Sequence, residues 1–228
     1  MPGKFMKGAL VEFMPTFLIP LPNVIIFQIN PETITHTWTQ AAADSSAPGA
    51  DPLAVKGLPG EAFSFTISMD ATDQIAEGNP LAIASGVYSR LAALEMLLYP
   101  TGAASALLGA LSGAASAIAG GSGGASRTVP TGHVPTTLFV WGPGRIVPVR
   151  VTGLTITEKI YDAFLNPTHA DARLEMRVLT PDEMSALTPG PMTTLARGAY
   201  AYSQGLRQAL AVANLANSVE SIIGMLPV

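Results

Sequence analysis

Acid–base or metal chemistry needs imidazoles, thiolates or paired carboxylates at workable spacing, and this sequence offers few of them. Its three histidines, His36, His133 and His169, lie far apart, and it contains no cysteine. Thiolate metal sites, Fe–S clusters, disulfides and a cysteine nucleophile are excluded together. Asp70 and Asp73 imitate a carboxylate pair at the end of an alternating segment, but in that place they read as turn caps. Asp162, His169 and Asp171 could be drawn as an acid–base group. His169, beside a proline turn, reads instead as a solvated loop residue, with no activated nucleophile near it. Gly120–Gly124 lacks both the Lys-Ser/Thr and the preceding strand that phosphate binding requires, and HExxH, GxSxG and Walker patterns are missing. Trp38 and Trp141 read as core aromatics. The expectation is a protein that is not an enzyme, with no catalytic, cofactor-binding or metal-ligating residues and no cofactor.

Composition points the same way. Charged residues make up 12% of the 228, against about 25% in an ordinary soluble domain, and apolar residues reach 48%. Mean hydropathy is +0.37, yet no stretch reads as a well-made membrane span. So few charges make a whole monomer surface hard to solvate, which points to other protein covering much of it; the other reading is a monomer whose exterior is rich in Ser, Thr and Asn. The net charge of −4, without a basic cluster, argues against nucleic acid. Lys4 and Lys7 are followed by Glu12, Pro15, Pro20 and Pro22, which interrupt any export signal. The expectation is a cytoplasmic protein without membrane insertion.

The elements follow from periodicity. Val24–Asn30 is a short apolar run closed by Asn30-Pro31-Glu32, and Thr33–Thr39 alternates with Ile34, His36 and Trp38 on one face. Residues 41–60 read as a surface loop, and Phe63, Phe65, Ile67 and Met69 as the buried face of a further strand. Asn79 caps a helix with Pro80 in its first turn and a stripe of Ile83, Val87, Leu91, Leu94 and Leu98. Residues 101–130 form a Gly/Ala/Ser-rich insertion, read as a loop rather than a membrane-active segment. Leu138–Trp141 turns at Gly142-Pro143-Gly144 into Val147, Val149 and Val151. Leu154 and Ile156 fall out of phase with those valines, which predicts a β-bulge near Thr152-Gly153. After the Asn166-Pro167 turn, Leu174, Met176 and Val178 face in while Arg173, Glu175 and Arg177 face out. Thr188–Thr194 reads as a linker, with Thr193 or Thr194 capping a helix to about Gly224. That helix carries an apolar band of Leu195, Ala199, Tyr202, Leu206, Leu210, Ala213, Val219 and Ile223. With only Arg197, Arg207 and Glu220 charged, it needs either its own sheet or another subunit as a partner.

The order of landmarks resembles one family. Lys7-Gly8 leads to Phe27-Gln28-Ile29-Asn30-Pro31-Glu32 and then to a strand carrying Trp38. Gly60-Glu61 opens a strand ending at Asp70, followed by a helix, Phe139-Val140-Trp141-Gly142, a valine-rich strand and Tyr161-x-x-Phe164. Over about residues 5–180 this is similar to the tube-like domain of baseplate tube-initiator proteins of contractile injection systems, the phage-tail-like particles.

The resemblance implies an α+β fold: a phage-tail-tube-like antiparallel β-barrel or sandwich with a flanking helix, spanning residues 1–185. A helical extension over 186–228 would follow, in place of the LysM module many relatives carry. The implied function is a structural baseplate component, a homo-hexameric ring joining spike hub to inner tube and initiating the tube. Its partners would be the inner tube protein, the spike or hub protein and other baseplate or sheath-initiator proteins. The resemblance makes Asn30-Pro31-Glu32 and Trp141-Gly142 fold-shaping turns rather than binding sites. Two other readings stand beside it: the inner tube protein of the same particle, and a β-barrel module that binds a small ligand or carbohydrate.

Overall fold

The computed structural model describes residues 6–14, 21–41, 51, 53–100, 134–187 and 189–225. The insertion expected at 101–130, the Gly120–Gly124 run and His133 lie outside them. Seven strands form one antiparallel sheet: β1 (Ala9–Met14), β2 (Leu21–Ile26), β3 (Ile34–Thr39), β4 (Gly60–Asp70), β5 (Thr137–Val140), β6 (Ile146–Tyr161) and β7 (Pro167–Val178). Their order is β2-β1-β5-β6-β7-β4-β3. Among the described residues five helices accompany them: α1 (Thr72–Ala76), α2 (Pro80–Ser85), α3 (Tyr88–Met96), α4 (Pro181–Ser185) and α5 (Pro191–Met225). The fold is mixed α+β.

Alternation places the core. Phe63, Phe65, Ile67 and Met69 of β4 are all at most 5% exposed, and they share one face with Val147, Val149 and Val151 of β6 and Leu174, Met176 and Val178 of β7. The bulge falls where the phase shift predicts it, with the β6–β7 register slipping between Val151 and Gly153. Leu154 and Ile156 therefore pack on the same core as the valines.

The sheet is curled. Neighbouring strands lie about 4.8 Å apart, so β5 and β4, three steps apart, would be separated by about 14 Å if flat. Instead Phe139 meets Phe63 at 5.3 Å and Phe65 at 5.4 Å, and Phe27 meets Phe65 at 5.5 Å. Rings from distant strands share one interior. The outer sides of β2 and β3 remain without a strand partner among the described residues.

Two glycines mark where backbone crosses closely. A Cβ on Gly8 would lie 2.6 Å from the Trp141 ring and 2.7 Å from Phe27. Asn30 locks that crossing: its Oδ1 accepts from Gly8 N at 2.9 Å, and its Nδ2 donates to Met6 O at 2.8 Å. Gly86, at φ +55, would place a Cβ 2.1 Å from Pro167 O. The same carbonyl accepts from Val87 N at 2.8 Å.

That crossing breaks the single helix expected after Asn79 into α2 and α3. Asn79 does cap α2, accepting from Leu81 N and Ala82 N, with Pro80 in the first turn. Because the break resets the helical phase, Ile83 ends 50% exposed, while Val87, Leu91 and Leu94 are buried. The last helix also differs from expectation at its start. It begins at Pro191, whose fixed φ suits a first helical turn, so the supposed linker is shorter.

Candidate assembly surface

The carboxylates and imidazoles that imitate chemistry are dispersed by the fold. Asp70 Oδ1 accepts from Thr72 N at 2.7 Å, the turn-capping role expected of it, while Asp73 lies exposed on α1. His169 is not a loop residue. It sits on β7, and its Nε2 meets Asp70 Oδ2 at 2.9 Å, because the β4–β7 register puts these two residues opposite each other. The Thr72 hydrogen bonds, with help from His169, hold the Asp70 carboxyl below its ordinary range. Asp162 closes the β6–β7 turn, accepting from Phe164 N, Asn166 N and Asn166 Nδ2 at 2.8, 2.9 and 3.0 Å. Asp171 instead binds Lys159 and the Ser68 hydroxyl. Three carboxylates thus serve three separate local tasks, and among the described residues no group of three metal-ligating side chains converges.

The tryptophans part company. Trp141 packs on the core beside Phe139, but Trp38 is 46% exposed, contrary to the core role expected of it. Trp38 stands near the end of edge strand β3, where the Arg207 guanidinium lies over its ring, 4.8 Å from the centroid. Arg207 also grips Glu61 with both nitrogens, Nη1 to Oε2 at 2.8 Å and Nη2 to Oε1 at 2.5 Å. His36 Nε2 reaches the same Oε1 at 2.8 Å while its ring stacks on Phe63 at 4.3 Å. The Glu61 side chain is only 3% exposed, so a buried carboxylate is shared by two basic groups from β3 and α5. Burial pushes the His36 imidazole below its ordinary value, and Arg145 and Arg207 push the same way against Glu61.

Glu61 is the residue that sequence reasoning undervalued. It stands in phase with Phe63 and Phe65, an inward position where a carboxylate demands a partner. The signal for that partner was one of the few charges on the last helix.

α5 therefore clasps the sheet at two places. Ser203, 2% exposed, donates to Ile146 O at 2.7 Å and accepts from Ile146 N at 3.2 Å. Arg207, one turn on, reaches β4 and β3. Upstream, Ala196 is fully buried with Leu138, Leu179 and Met184 in a second cluster on the other side of the sheet from the main core. The face that packs runs through Met192, Ala196, Ala199, Tyr200, Ser203 and Arg207, so of the expected apolar band Ala199 packs while its larger members Leu195, Tyr202 and Leu210 stand outward. Leu195, Tyr202 and Leu210 of that band are 45%, 50% and 60% exposed.

Other apolar groups stand outward too. At the β6–β7 tip Ile160, Phe164 and Leu165 are 64%, 85% and 79% exposed, and edge strand β2 shows Val24 and Ile26 at 46% and 61%. Neither edge strand carries a charge: β2 reads LPNVII and β3 reads ITHTWT. Edges protected against pairing usually carry lysine, proline, inward charges or bulges, and of these β2 has only Pro22, next to its first residue. Among the described residues no helix is long and apolar enough to cross a membrane.

Scanned against models of known protein families the chain matches none, and a search of curated proteins finds no match.

Proposed function

We propose that this chain is a structural baseplate component of a contractile injection system, of the tube-initiator kind. In this reading six copies close a ring between spike hub and inner tube, and the ring templates the first layer of tube. The curled antiparallel sheet would supply the tube-like wall, and the flanking α3 would back it. The protein would work in the cytoplasm, assembled into the particle with tube, hub and sheath-initiator proteins. It would act through surfaces rather than through catalysis.

The observation that carries this reading is the pair of uncharged edge strands, β2 and β3, at opposite ends of one sheet. A chain with two open, different edges suits head-to-tail contacts that repeat around a ring, since each copy offers one edge to each neighbour. The apolar residues exposed on α5 and at the β6–β7 tip suit further contacts above and below such a ring.

Electron microscopy tests it in two steps. The purified chain should form closed rings of six, and cells lacking it should contain neither assembled tube nor sheath. Particles of normal length without the protein would overturn the assignment. A ring of the same subunit stacked along the whole tube would make it the inner tube protein instead.

A further inference from the structure

Away from both edges, two like charges face each other. Arg150 of β6 and Arg177 of β7 are direct cross-strand partners, an arrangement that costs stability unless something neutralises it. Arg177 has its counterion: Nη1 donates to Glu183 Oε1 at 2.5 Å. Glu183 is itself fully engaged, because Oε2 accepts from Thr180 N at 2.9 Å and from Thr180 Oγ1 at 3.2 Å in the capping box of α4. Burial works against this carboxylate, but the Thr180 and Arg177 hydrogen bonds outweigh it and keep it ionised. Glu183 therefore serves Arg177 alone, and the second guanidinium is left without a counterion of its own among the described residues. Arg150, exposed, has no hydrogen-bond or ion-pair partner among the described residues.

The two arginines and Glu183 line a cavity of about 250 Å³, walled on its apolar sides by Val134, Leu179 and Leu187. Residues 101–133, which precede Val134 in sequence, contain no Asp or Glu. A guanidinium with its fork free, held beside a second one in a half-apolar recess, matches a carboxylate carried by an apolar neighbour. We infer that this recess is a docking site for an acidic segment of a partner protein, one Glu or Asp side chain entering between Arg150 and Arg177 with a flanking apolar side chain against Leu179 and Leu187. The inference does not rest on the ring reading, and either can fail without the other.

The probe is the capped peptide acetyl-Leu-Glu-Leu-Glu-amide, titrated into the full chain while the arginine side-chain NMR resonances are followed. Its counterparts are the same peptide with Gln for Glu, and inorganic phosphate. Saturable shifts of Arg150 and Arg177 with the Glu peptide are expected, weakening at high salt. Arg150→Gln should cut the affinity about tenfold, the loss of one charge-assisted pair. Arg150→Lys should retain part of it, since the charge stays and only the fork is lost.

A second readout separates docking from mere structure. Removing one of two facing like charges should leave the Arg150→Gln chain as stable as the parent, or slightly more so, while binding falls. Equal binding of the Gln peptide, or a Glu-peptide affinity unchanged by Arg150→Gln, would overturn the inference. Phosphate binding as tight as the Glu peptide would also overturn it, replacing a protein dock by a general anion site.

Discussion

The two halves of α5 obey opposite rules. From Pro191 to Arg207 the helix sits on its own sheet through Ala196, with Met192, Ala199 and Tyr200 partly buried beside it, and through two polar anchors, Ser203 on Ile146 and Arg207 on Glu61. Beyond Arg207, every residue from Gln208 to Leu215 is exposed, although Leu210, Val212 and Leu215 are larger and more apolar than the buried Ala196 and Ser203. Burial here does not track hydrophobicity. The first half adds specific hydrogen bonding and charge pairing to its apolar contacts, whereas Leu210, Val212 and Leu215 of the second half have nothing among the described residues to cover them. A helix that satisfies its polar groups internally and leaves its apolar groups outside is arranged for a neighbour.

The sharpest way to break the docked half is Arg207→Ala. It strips the bidentate partner from a carboxylate that is 3% exposed and leaves His36 as the sole counter-group. A destabilisation of about 3–5 kcal/mol is expected, because an uncompensated buried charge is costly. That corresponds to a melting temperature lower by roughly 10 °C in a chain of this size. A shift below a degree or two would mean that α5 docks through its apolar contacts alone. Ser203→Ala, in the same half, should cost about 1–2 kcal/mol, the usual toll for leaving backbone groups without a buried hydroxyl. Measured together, the two variants should fall short of additivity, since both loosen one helix from one sheet.

The pH dependence of the same junction is a smaller effect with a definite sign. His36 faces Glu61 from β4, Arg207 from α5 and Arg145 from the β5–β6 turn, and its folded-state pKa lies below the ordinary value of about 6.5. In the window just beneath that value the unfolded chain binds more protons than the folded one. Stability therefore rises with pH through this window and falls on acidification. Asp70, Asp171 and Glu183, held below their ordinary values, lose their contribution only at much lower pH. His36→Gln should flatten the melting curve between about pH 7.5 and 5.5. An unchanged slope would move the effect to another group.

What was legible in the sequence follows the same division. Strand periodicity announced β4, β6 and β7 and even the slip near Gly153, because each of those strands has one face on a continuous core and period two has no competing solution. Asn79-Pro80 announced the start of α2 by cap chemistry that is local to four residues. The break at Gly86 was not legible, since it depends on Pro167 O arriving from eighty residues downstream. Nor was the docked face of α5. Helical wheels rank positions by hydropathy, and here the sheet selected Ala196, Ser203 and Arg207 over the leucines. The Glu61–Arg207 pair spans 146 residues and left only two weak marks, an acid in phase with phenylalanines and a charge on an otherwise bare helix.

The projecting half gives the smallest expected change in stability and the most discriminating one. Leu210→Gln combined with Leu215→Gln keeps helix propensity nearly constant, because leucine and glutamine are close on the helix scale. Both side chains are already more than half exposed, at 60% and 64%, so their removal takes no packing from the isolated chain. Thermal unfolding of dilute protein should therefore move by no more than about 0.5 kcal/mol. Self-association or partner capture, followed by sedimentation over a range of concentrations, should drop if this surface is where a neighbour sits. The contrast with Arg207→Ala is the point: one substitution set empties the folded chain of stability, the other only of company. If the double variant instead melted several degrees lower while its association state stayed the same, the outer half of α5 would be part of the chain's own core, and the two halves of the helix would obey one rule after all.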